Sequence, residues 1–228
     1  MEIERIDTYE DSRFSQKVLQ QHGCFLVDGT PCEVEIISDF EAVIHRGTNG
    51  HFYGNVHGIV HGNIHESILE AFSPLIDRFR FYTPHITRFY DENHRIIKEF
   101  PAAQLLTLKL EQLQPSQFYV DKDKIAAISN FIHKAEDIII QVLPYQGRFI
   151  SLDGHTRLYY AVMHGWKHVR AVTESADDWV HGFVKEAKKR SIHTPADLIP
   201  VSHAEYVEKW YGFCDAFFAV SKEEQSKS

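Results

Sequence analysis

The sequence predicts an α+β fold, and three observations lead to this prediction. Short apolar runs bounded by Gly, Asn and Asp are typical of strands joined by turns. Between them lie longer segments whose apolar residues recur at helical spacing. Hydrophobic residues make up 43% and aromatic residues 13% of the 228-residue chain, which suffices for a substantial core. We therefore expect one large domain or two small ones.

The first hundred residues are predicted to contain two helices and five strands. The first helix ends near Gly23, and Asp28-Gly29 forms a turn between the first two strands. Helical spacing of apolar residues over 68–79 predicts the second helix, where Pro74 favours a kink. In chain order we expect a helix over 13–22, strands over 25–27, 32–37 and 42–45, a helix over 65–79, and a hairpin of strands over 86–90 and 95–100.

The second half is predicted to alternate strands and helices more regularly. Pro115 is expected to end the first strand, Gln146-Gly147 forms a hairpin turn, and Gly165 ends a helix. In chain order we expect a strand over 105–110, a helix over 121–133, strands over 138–143 and 148–152, a helix over 157–164, a strand over 169–172, and helices over 177–189 and 202–219.

The distribution of charge suggests the domain organisation. Residues 1–100 carry 9 basic and 16 acidic side chains, whereas residues 101–174 carry 8 and 7. We predict an acidic α+β region over 1–100, a central domain over 101–175, C-terminal helices over 176–220 packed on it, and a disordered tail over 221–228. The formal net charge of −8 disfavours nucleic acid as a partner.

Other sequence features bear on the state of the cysteines and on the cellular location of the protein. Cys24, Cys32 and Cys214 are too few and too irregular for a disulfide framework, so free thiols are favoured over a Cys24–Cys32 bridge. The N-terminus lacks the pattern of a signal peptide, and no apolar run approaches ~20 residues. We expect a cytoplasmic protein that does not enter a membrane. The sequence does not determine the oligomeric state.

The segment from Phe149 to Gly165 carries the clearest chemical pattern, because an apolar strand leads through Asp153-Gly154 into an amphipathic helix. The free N–H groups of a helix start bind anions, and a glycine there lets the backbone approach a ligand closely. Arg157 can pair with a phosphate group. A phosphate site is therefore one interpretation, and an ordinary turn with a surface arginine is the other.

The remaining polar residues of this segment fit the phosphate interpretation. Asp153 can hold Mg²⁺ or activate a hydroxyl group. Thr156 can cap the helix or bind phosphate oxygens. His155 is either a phosphate donor, which we favour, or a buried hydrogen-bonded residue.

The run F-I-S-L-D-G-H-T-R-L-Y-Y-A-V-M-H-G over 149–165 resembles the signature of the ParB/sulfiredoxin superfamily. The resemblance covers about residues 104–175, including an L-x-P turn within 108–117. It implies a fold in which the helix start after the D-G-H-x-R turn holds nucleotide phosphates. This turn is most similar to that of the branch that phosphorylates free L-serine. The resemblance implies that Asp153, Gly154, His155 and Arg157 contact the nucleotide, with Thr156 at a variable position.

The chain departs from this family at informative positions. Gln117 stands where the serine kinases have a catalytic Glu, and an amide cannot accept a proton as a carboxylate does. Asp121 or Asp123 is the candidate replacement. No cysteine lies in the turn, which argues against sulfiredoxin activity. The turn has a single arginine and the chain is acidic, which argues against ParB-like DNA clamping.

We therefore expect a nucleotide-binding protein that uses ATP or ADP with Mg²⁺ to phosphorylate a small hydroxyl-bearing metabolite such as an amino acid. Asp153 and Gln117 would occupy the catalytic positions, and no residue is assigned as a resident metal ligand. The alternative is a non-catalytic, nucleotide-dependent regulatory module with a DNA or protein partner. Gln117 leaves the question of enzyme activity open, and a retained fold without any nucleotide is a third alternative.

Histidines at positions 45, 51, 57, 61 and 65 form a second candidate feature. His57, His61 and His65 would share a face of a helix and could bind Zn²⁺ or Ni²⁺, although the glycines between them disfavour a helix. We favour a Gly-rich loop with solvated histidines, and a lid over the nucleotide is a third interpretation.

Overall fold

The computed structural model describes residues 1–6, 10–21, 23–46 and 64–225 of the chain, with the backbone alone at 20, 46, 64–71 and 220–225. Helices and mixed sheets are both present, so the predicted α+β class is confirmed. The chain divides into two compact units, Met1–Gln104 and Leu105–Ser228. The sequence placed the corresponding boundary after residue 100.

Within its described residues, the first unit contains a six-stranded sheet and two helices. Its elements are β1 Ile3–Arg5, α1 Gln16–Gln20, β2 Cys24–Val27, β3 Thr30–Ile36, β4 Glu41–Arg46, α2 Ile64–Arg80, β5 Arg88–Asp91 and β6 Ile96–Glu99. The strands lie in chain order, and β4 and β5 pair in parallel while the other neighbours are antiparallel.

The core of the first unit forms where α2 packs on the sheet. Phe79 on α2 makes edge-to-face contacts with Phe25 on β2 and Phe89 on β5, with ring centroids 6.2 and 6.1 Å apart. Phe72, Leu75, Ile76 and Phe79 are all buried, as their helical spacing predicts. The first helix is shorter than predicted because Ser15, with an extended backbone, caps it at Gln16.

The second unit contains a five-stranded sheet, a two-stranded sheet and five α-helices within its described residues. Its elements are β7 Leu106–Lys109, β8 Leu113–Pro115, β9 Tyr119–Asp121, α3 Lys122–Ile128, β10 Ile139–Tyr145, β11 Arg148–Ser151, α4 His155–Met163, β12 His168–Thr173, α5 Trp179–Lys189, β13 Ile199–Val201, α6 His203–Tyr206 and α7 Gly212–Gln225.

The larger sheet of the second unit places the start of α4 next to strand β8. The strand order is β7-β12-β10-β11-β8, and β11 pairs in parallel with β8. In the smaller sheet β9 pairs in parallel with β13. The C-terminal helices share a buried cluster with β9, in which Phe118 contacts Trp210 and Phe213 at ring distances of 5.0 and 4.9 Å. The C-terminal helices therefore pack on the central part of this unit.

Three sequence predictions for this unit are wrong in detail. Pro115 does not end the first strand; it is the last residue of β8, and a single helical turn over Leu110–Gln112 ends β7 instead. The helix predicted over 121–133 ends at Ile128, because a turn at Ser129 and Asn130 interrupts it. Helix α7 extends to Gln225, into the predicted tail, because Lys, Glu and Gln are good helix formers.

The predicted hairpin turns are confirmed by their backbone angles. Asp28 and Gly29 have φ of 46° and 77°, and Gln146 and Gly147 have φ of 49° and 76°. Two left-handed residues in a row match the twist of a two-residue hairpin. Among the helices that the structure describes, none combines the length and apolar character needed to cross a bilayer.

Candidate functional site

The turn before α4 requires glycine at position 154. Gly154 precedes the helix with φ of 78°, a left-handed conformation that disfavours a side chain. A Cβ atom there would lie 2.6 Å from Cγ2 of Ile140 and 3.1 Å from the guanidinium of Arg157. Gly154 therefore allows strand β10 and the Arg157 side chain to approach the turn closely. Because glycine has no side chain, it also provides no cap for the helix start.

Asp153 and Arg157 form an ion pair across the turn. Nη2 of Arg157 lies 2.8 Å from Oδ2 of Asp153, and Nη1 donates to the carbonyl of Ile139 at 2.8 Å. The side chains are 51% exposed for Asp153 and 28% exposed for Arg157. Two of the residues that were predicted to contact the nucleotide therefore pair with each other, at the solvent-accessible edge of the turn. Thr156 is the second residue of α4 and half-buried.

His155 is buried and hydrogen-bonded, which is the alternative to the phosphate donor that we favoured from the sequence. Its side chain is 5% exposed. Its Nε2 accepts from the backbone N–H of Ser116 at 3.3 Å and lies 3.3 and 3.2 Å from the hydroxyls of Ser116 and Ser151. Burial lowers the pKa of His155 to about 4, against the opposing effect of the Asp153 charge. The imidazole is therefore neutral at pH 7 and fixes the position of the turn.

The interactions of His155 join the two sequence segments that the family resemblance identified. Ser116 follows the L-x-P turn, and its hydroxyl also donates to the carbonyl of Ser151 at 2.8 Å. Ser151 ends β11, immediately before the D-G-H-x-R turn. The segment 113–117 and the segment 151–157 are therefore in direct contact, although 35 residues separate Ser116 from Ser151.

Gln117, at the predicted catalytic position, lies beside the C-terminal helices. Its Nε2 donates to the carbonyl of Tyr119 and, at 3.3 Å, to the hydroxyl of Tyr206. Burial raises the pKa of Tyr206 beyond its usual value, so its hydroxyl stays protonated at neutral pH. Gln117 is half-buried and anchored as a hydrogen-bond donor.

Asp121, one of the two predicted replacements for the missing Glu, has a histidine partner. Its Oδ2 lies 2.7 Å from Nδ1 of His203, and its Oδ1 accepts from the backbone N–H of Asp123 at 2.9 Å. The Asp121 side chain is 1% exposed, whereas that of His203 is 59% exposed. Asp123 is exposed. The buried carboxylate thus orients an accessible imidazole.

Sequence reasoning missed the serines, Tyr206 and His203. Ser116 and Ser151 are adjacent to the two motif segments, but nothing in the sequence indicates that their hydroxyls meet one imidazole. His203 and Asp121 are 82 residues apart. Their approach depends on the parallel pairing of β9 with β13, in which Val201 lies opposite Asp121. Two such short strands give too weak a sequence signal to predict their pairing.

Other predicted features lie elsewhere or outside the described residues. His51, His57 and His61 lie outside the described residues, and the position of the His65 side chain is not described. The Zn²⁺ and lid interpretations of this stretch therefore stay predictions. His45 lies on β4, with Nε2 2.9 Å from Glu35.

Two of the three cysteines, Cys24 and Cys214, provide no activated thiol. All three are free, as predicted. Burial raises the pKa of Cys24 to about 12 and that of Cys214 to about 11. Both thiols are therefore protonated at neutral pH and lack the thiolate that nucleophilic chemistry needs.

A cavity of about 470 Å³ lies at the opposite end of α4 from the D-G-H-x-R turn. Val162, Trp166, Lys109 and Lys167 are among the residues that line it. None of the predicted site residues does. The cavity is therefore separate from the candidate nucleotide site.

Comparison with known proteins does not identify a family for this chain. No protein-family model and no curated protein matches the chain. Among solved structures, the chain is similar to the crystal structure of protein Atu1540 from Agrobacterium tumefaciens, at 15% identity and a TM-score of 0.32. The match covers 42% of this chain and 62% of that one. A likeness this weak carries no argument about fold or function.

Proposed function

We propose that the second unit is a ParB/sulfiredoxin-like domain that binds ATP or ADP at the start of α4 and transfers a phosphoryl group to a small hydroxyl-bearing metabolite. The observation that carries this proposal is the contact of the two motif segments through the buried His155, Ser116 and Ser151. This contact brings the L-x-P turn, which would meet the acceptor, next to the helix start that would hold the phosphates.

Phosphate binding at this turn follows from its charges and its backbone. Helix α4 has nine residues, and its N-terminal N–H groups carry the positive end of the helix dipole. Arg157 is already held over Gly154. A phosphate group would replace the Asp153 carboxylate as the partner of Arg157, because both are anions of similar geometry. The ion pair is partly solvated, so this exchange costs little.

Asp153 suits a Mg²⁺ ion that arrives with the nucleotide. Mg²⁺ in nucleotide sites uses one or two carboxylates together with phosphate oxygens and water. Asp153 offers one half-exposed carboxylate, which Arg157 releases when it turns to the phosphate. Mg²⁺ bound there would neutralise charge on the phosphates.

The proposed transfer forms one bond and breaks one. The hydroxyl oxygen of the acceptor bonds to the terminal phosphorus of the nucleotide, and the bond from this phosphorus to the bridging oxygen breaks. The nucleotide leaves with that electron pair and one phosphate fewer, while the hydroxyl proton passes to a base or to water. Gln117 cannot accept this proton, so catalysis rests on positioning and charge neutralisation.

A non-catalytic nucleotide-dependent module is the second candidate, and Gln117 is the observation that favours it. Its amide donates to the Tyr119 carbonyl and the Tyr206 hydroxyl. This position therefore holds a hydrogen-bond donor and not the carboxylate that would accept the acceptor's proton. In this alternative the nucleotide changes the affinity for a protein or DNA partner without being consumed.

A thermal-shift titration tests nucleotide binding. ATP, ADP, CTP and GTP are each added with and without Mg²⁺ to the wild type and to Arg157→Ala. A ligand at 100 times its dissociation constant adds about 2.7 kcal/mol of stability, a shift of a few degrees. Arg190→Ala is the matched control, because Arg190 forms an ion pair of the same i,i+4 spacing with Glu186.

We expect ATP or ADP to stabilise the wild type and Arg190→Ala but not Arg157→Ala. No stabilisation of the wild type by any nucleotide would contradict the proposal. If a nucleotide binds, the candidate acceptors are screened for consumption of ATP or ADP. Binding without turnover of any acceptor would favour the non-catalytic alternative.

A further inference from the structure

We propose that Asp121, Asp123 and His203 form a binding site for a divalent transition-metal ion of the Mn²⁺ and Zn²⁺ class. Each residue offers one ligand atom, and these atoms lie within 4.8 Å of one another. The site is distinct from the D-G-H-x-R turn, and the inference does not depend on nucleotide binding.

The three side chains converge because of the fold of the second unit. Asp121 ends β9 and caps α3, and Asp123 lies in the first turn of that helix. His203 is the first residue of α6, which follows β13 after Ser202. Since β9 and β13 are paired in parallel, their carboxyl ends lie together and bring the imidazole onto the carboxylates. The ligands come from the ends of paired strands, which hold them in place.

The burial of the Asp121 carboxyl group is a second observation that points to a cation. Its side chain is 1% exposed, and a buried carboxylate requires compensation. Within the described residues, no lysine or arginine forms an ion pair with Asp121 or Asp123. No group outside the cluster donates to the Asp121 carboxylate there either. A positive charge at this point would therefore stabilise both carboxylates.

The pair of Asp121 and His203 needs only a small adjustment to hold a metal ion. Nδ1 of His203 and Oδ2 of Asp121 are 2.7 Å apart, the distance of a hydrogen bond through one proton. A metal ion at about 2.0–2.2 Å from each atom, with an angle of about 90–110° between the two bonds, would replace this proton and separate the two atoms by roughly 0.1–0.9 Å more. His203 is 59% exposed and can rotate by this amount. Its exposure also leaves room for water ligands.

The donor set selects the class of metal. Carboxylate oxygens bind Mg²⁺, Ca²⁺ and Mn²⁺, whereas imidazole suits Zn²⁺ and other transition metals. Two oxygens and one imidazole nitrogen therefore favour Mn²⁺ or Zn²⁺ over Mg²⁺. The competing explanation is that Asp121 only caps α3 and His203 only covers the cap.

Metal titration of the full chain distinguishes these explanations. The protein, without a purification tag and after dialysis against a chelator, is titrated with MnCl₂ and separately with ZnCl₂ at pH 7.5. Free Mn²⁺ is counted by electron paramagnetic resonance, and Zn²⁺ binding is followed by calorimetry. The variants are Asp121→Asn, which retains a good helix cap, and His203→Ala.

The matched controls are two residues of the same unit that lie outside the cluster. Asp137→Asn changes another capping carboxylate, which accepts from the backbone N–H groups of His133 and Lys134. His193→Ala removes another exposed imidazole. Circular dichroism verifies that each variant is folded.

We expect the wild type and both controls to bind one equivalent of Mn²⁺ or Zn²⁺ that Asp121→Asn and His203→Ala bind at least ten-fold more weakly. Mg²⁺ at the same concentration should not displace it. Every protein in this series except His193→Ala keeps all of the histidines outside the cluster. These histidines therefore contribute equally to the other titrations. The inference is overturned if the wild type binds neither metal, or if Asp121→Asn and His203→Ala bind as the controls do.

Discussion

The dipeptide Asp-Gly occurs twice in the chain, once in each unit, and the two copies have different surroundings. Asp28-Gly29 closes the hairpin between β2 and β3, and a Cβ on Gly29 would meet no atom within 4 Å. Asp153-Gly154 precedes helix α4, and a Cβ on Gly154 would lie 2.6 Å from Ile140. Gly29 is needed only for its left-handed backbone angle. Gly154 is needed for the same angle and also because Ile140 lies too close for a side chain.

The two aspartates differ in the same way. Asp28 accepts from the backbone N–H of Glu2 at 2.7 Å and belongs to a surface turn. Asp153 is paired with Arg157, and the turn next to it contacts buried polar groups through His155. An identical dipeptide therefore acquires a candidate function only from the groups that the fold places around it.

Removal of the His155 imidazole should have the largest effect. His155→Ala leaves the Ser116 N–H and the Ser151 hydroxyl without their buried partner and opens a cavity. Such losses together lower the free energy of unfolding by about 3–5 kcal/mol. Urea denaturation measures this effect. Asp28→Ala, in the exposed hairpin turn, should cost much less, and an equal loss in the two variants would contradict the comparison.

Acid should destabilise the protein through the same imidazole. The folded pKa of His155 is about 4 and its ordinary value is 6.5, so the unfolded chain binds more protons between these pH values. Stability is therefore complete above pH 6.5 and falls as the pH decreases towards 4, by about 3 kcal/mol. His155→Gln should lose this part of the pH dependence. Identical pH profiles for the wild type and His155→Gln would show that the imidazole is not buried and neutral.

Substitution of Gly29 and of Gly154 should separate the cost of the left-handed backbone angle from the cost of the contact with Ile140. Gly29→Ala should lower the free energy of unfolding by about 1 kcal/mol, the cost of a left-handed alanine. Gly154→Ala pays the same cost and also forces its Cβ against Ile140, for a total of roughly 2–4 kcal/mol. Chemical denaturation of both variants provides the measurement. Equal losses would mean that the turn before α4 has free space.

Loss of the Asp153–Arg157 ion pair should have the smallest effect on stability. Both side chains are partly exposed, and such pairs contribute less than about 1 kcal/mol. Arg157→Ala should therefore unfold at nearly the wild-type denaturant concentration. A loss of several kcal/mol would indicate a structural role for Arg157, through its bond to the Ile139 carbonyl, and would weaken the phosphate interpretation.

The sequence predicted the elements of this fold better than the contacts of the site. Helical spacing placed α2 and α4, and turn residues placed both two-residue hairpins, because these signals are local. The burial of His155 and the pairing of Asp121 with His203 depend on parallel strands brought together from distant parts of the chain. A sequence motif is identical whether its polar side chain is buried or exposed, so the motif does not predict burial.

The most direct test of the nucleotide proposal is an NMR titration that reports on both Asp-Gly turns at once. The ¹⁵N-labelled protein is titrated with ADP and Mg²⁺, and the backbone amide signals are followed. We predict large, saturable shifts for Gly154 to Arg157, with Gly29 and Thr30 unchanged. Shifts confined to other parts of the chain, or none at saturating ADP and ATP, would contradict the claim that the start of α4 holds nucleotide phosphates.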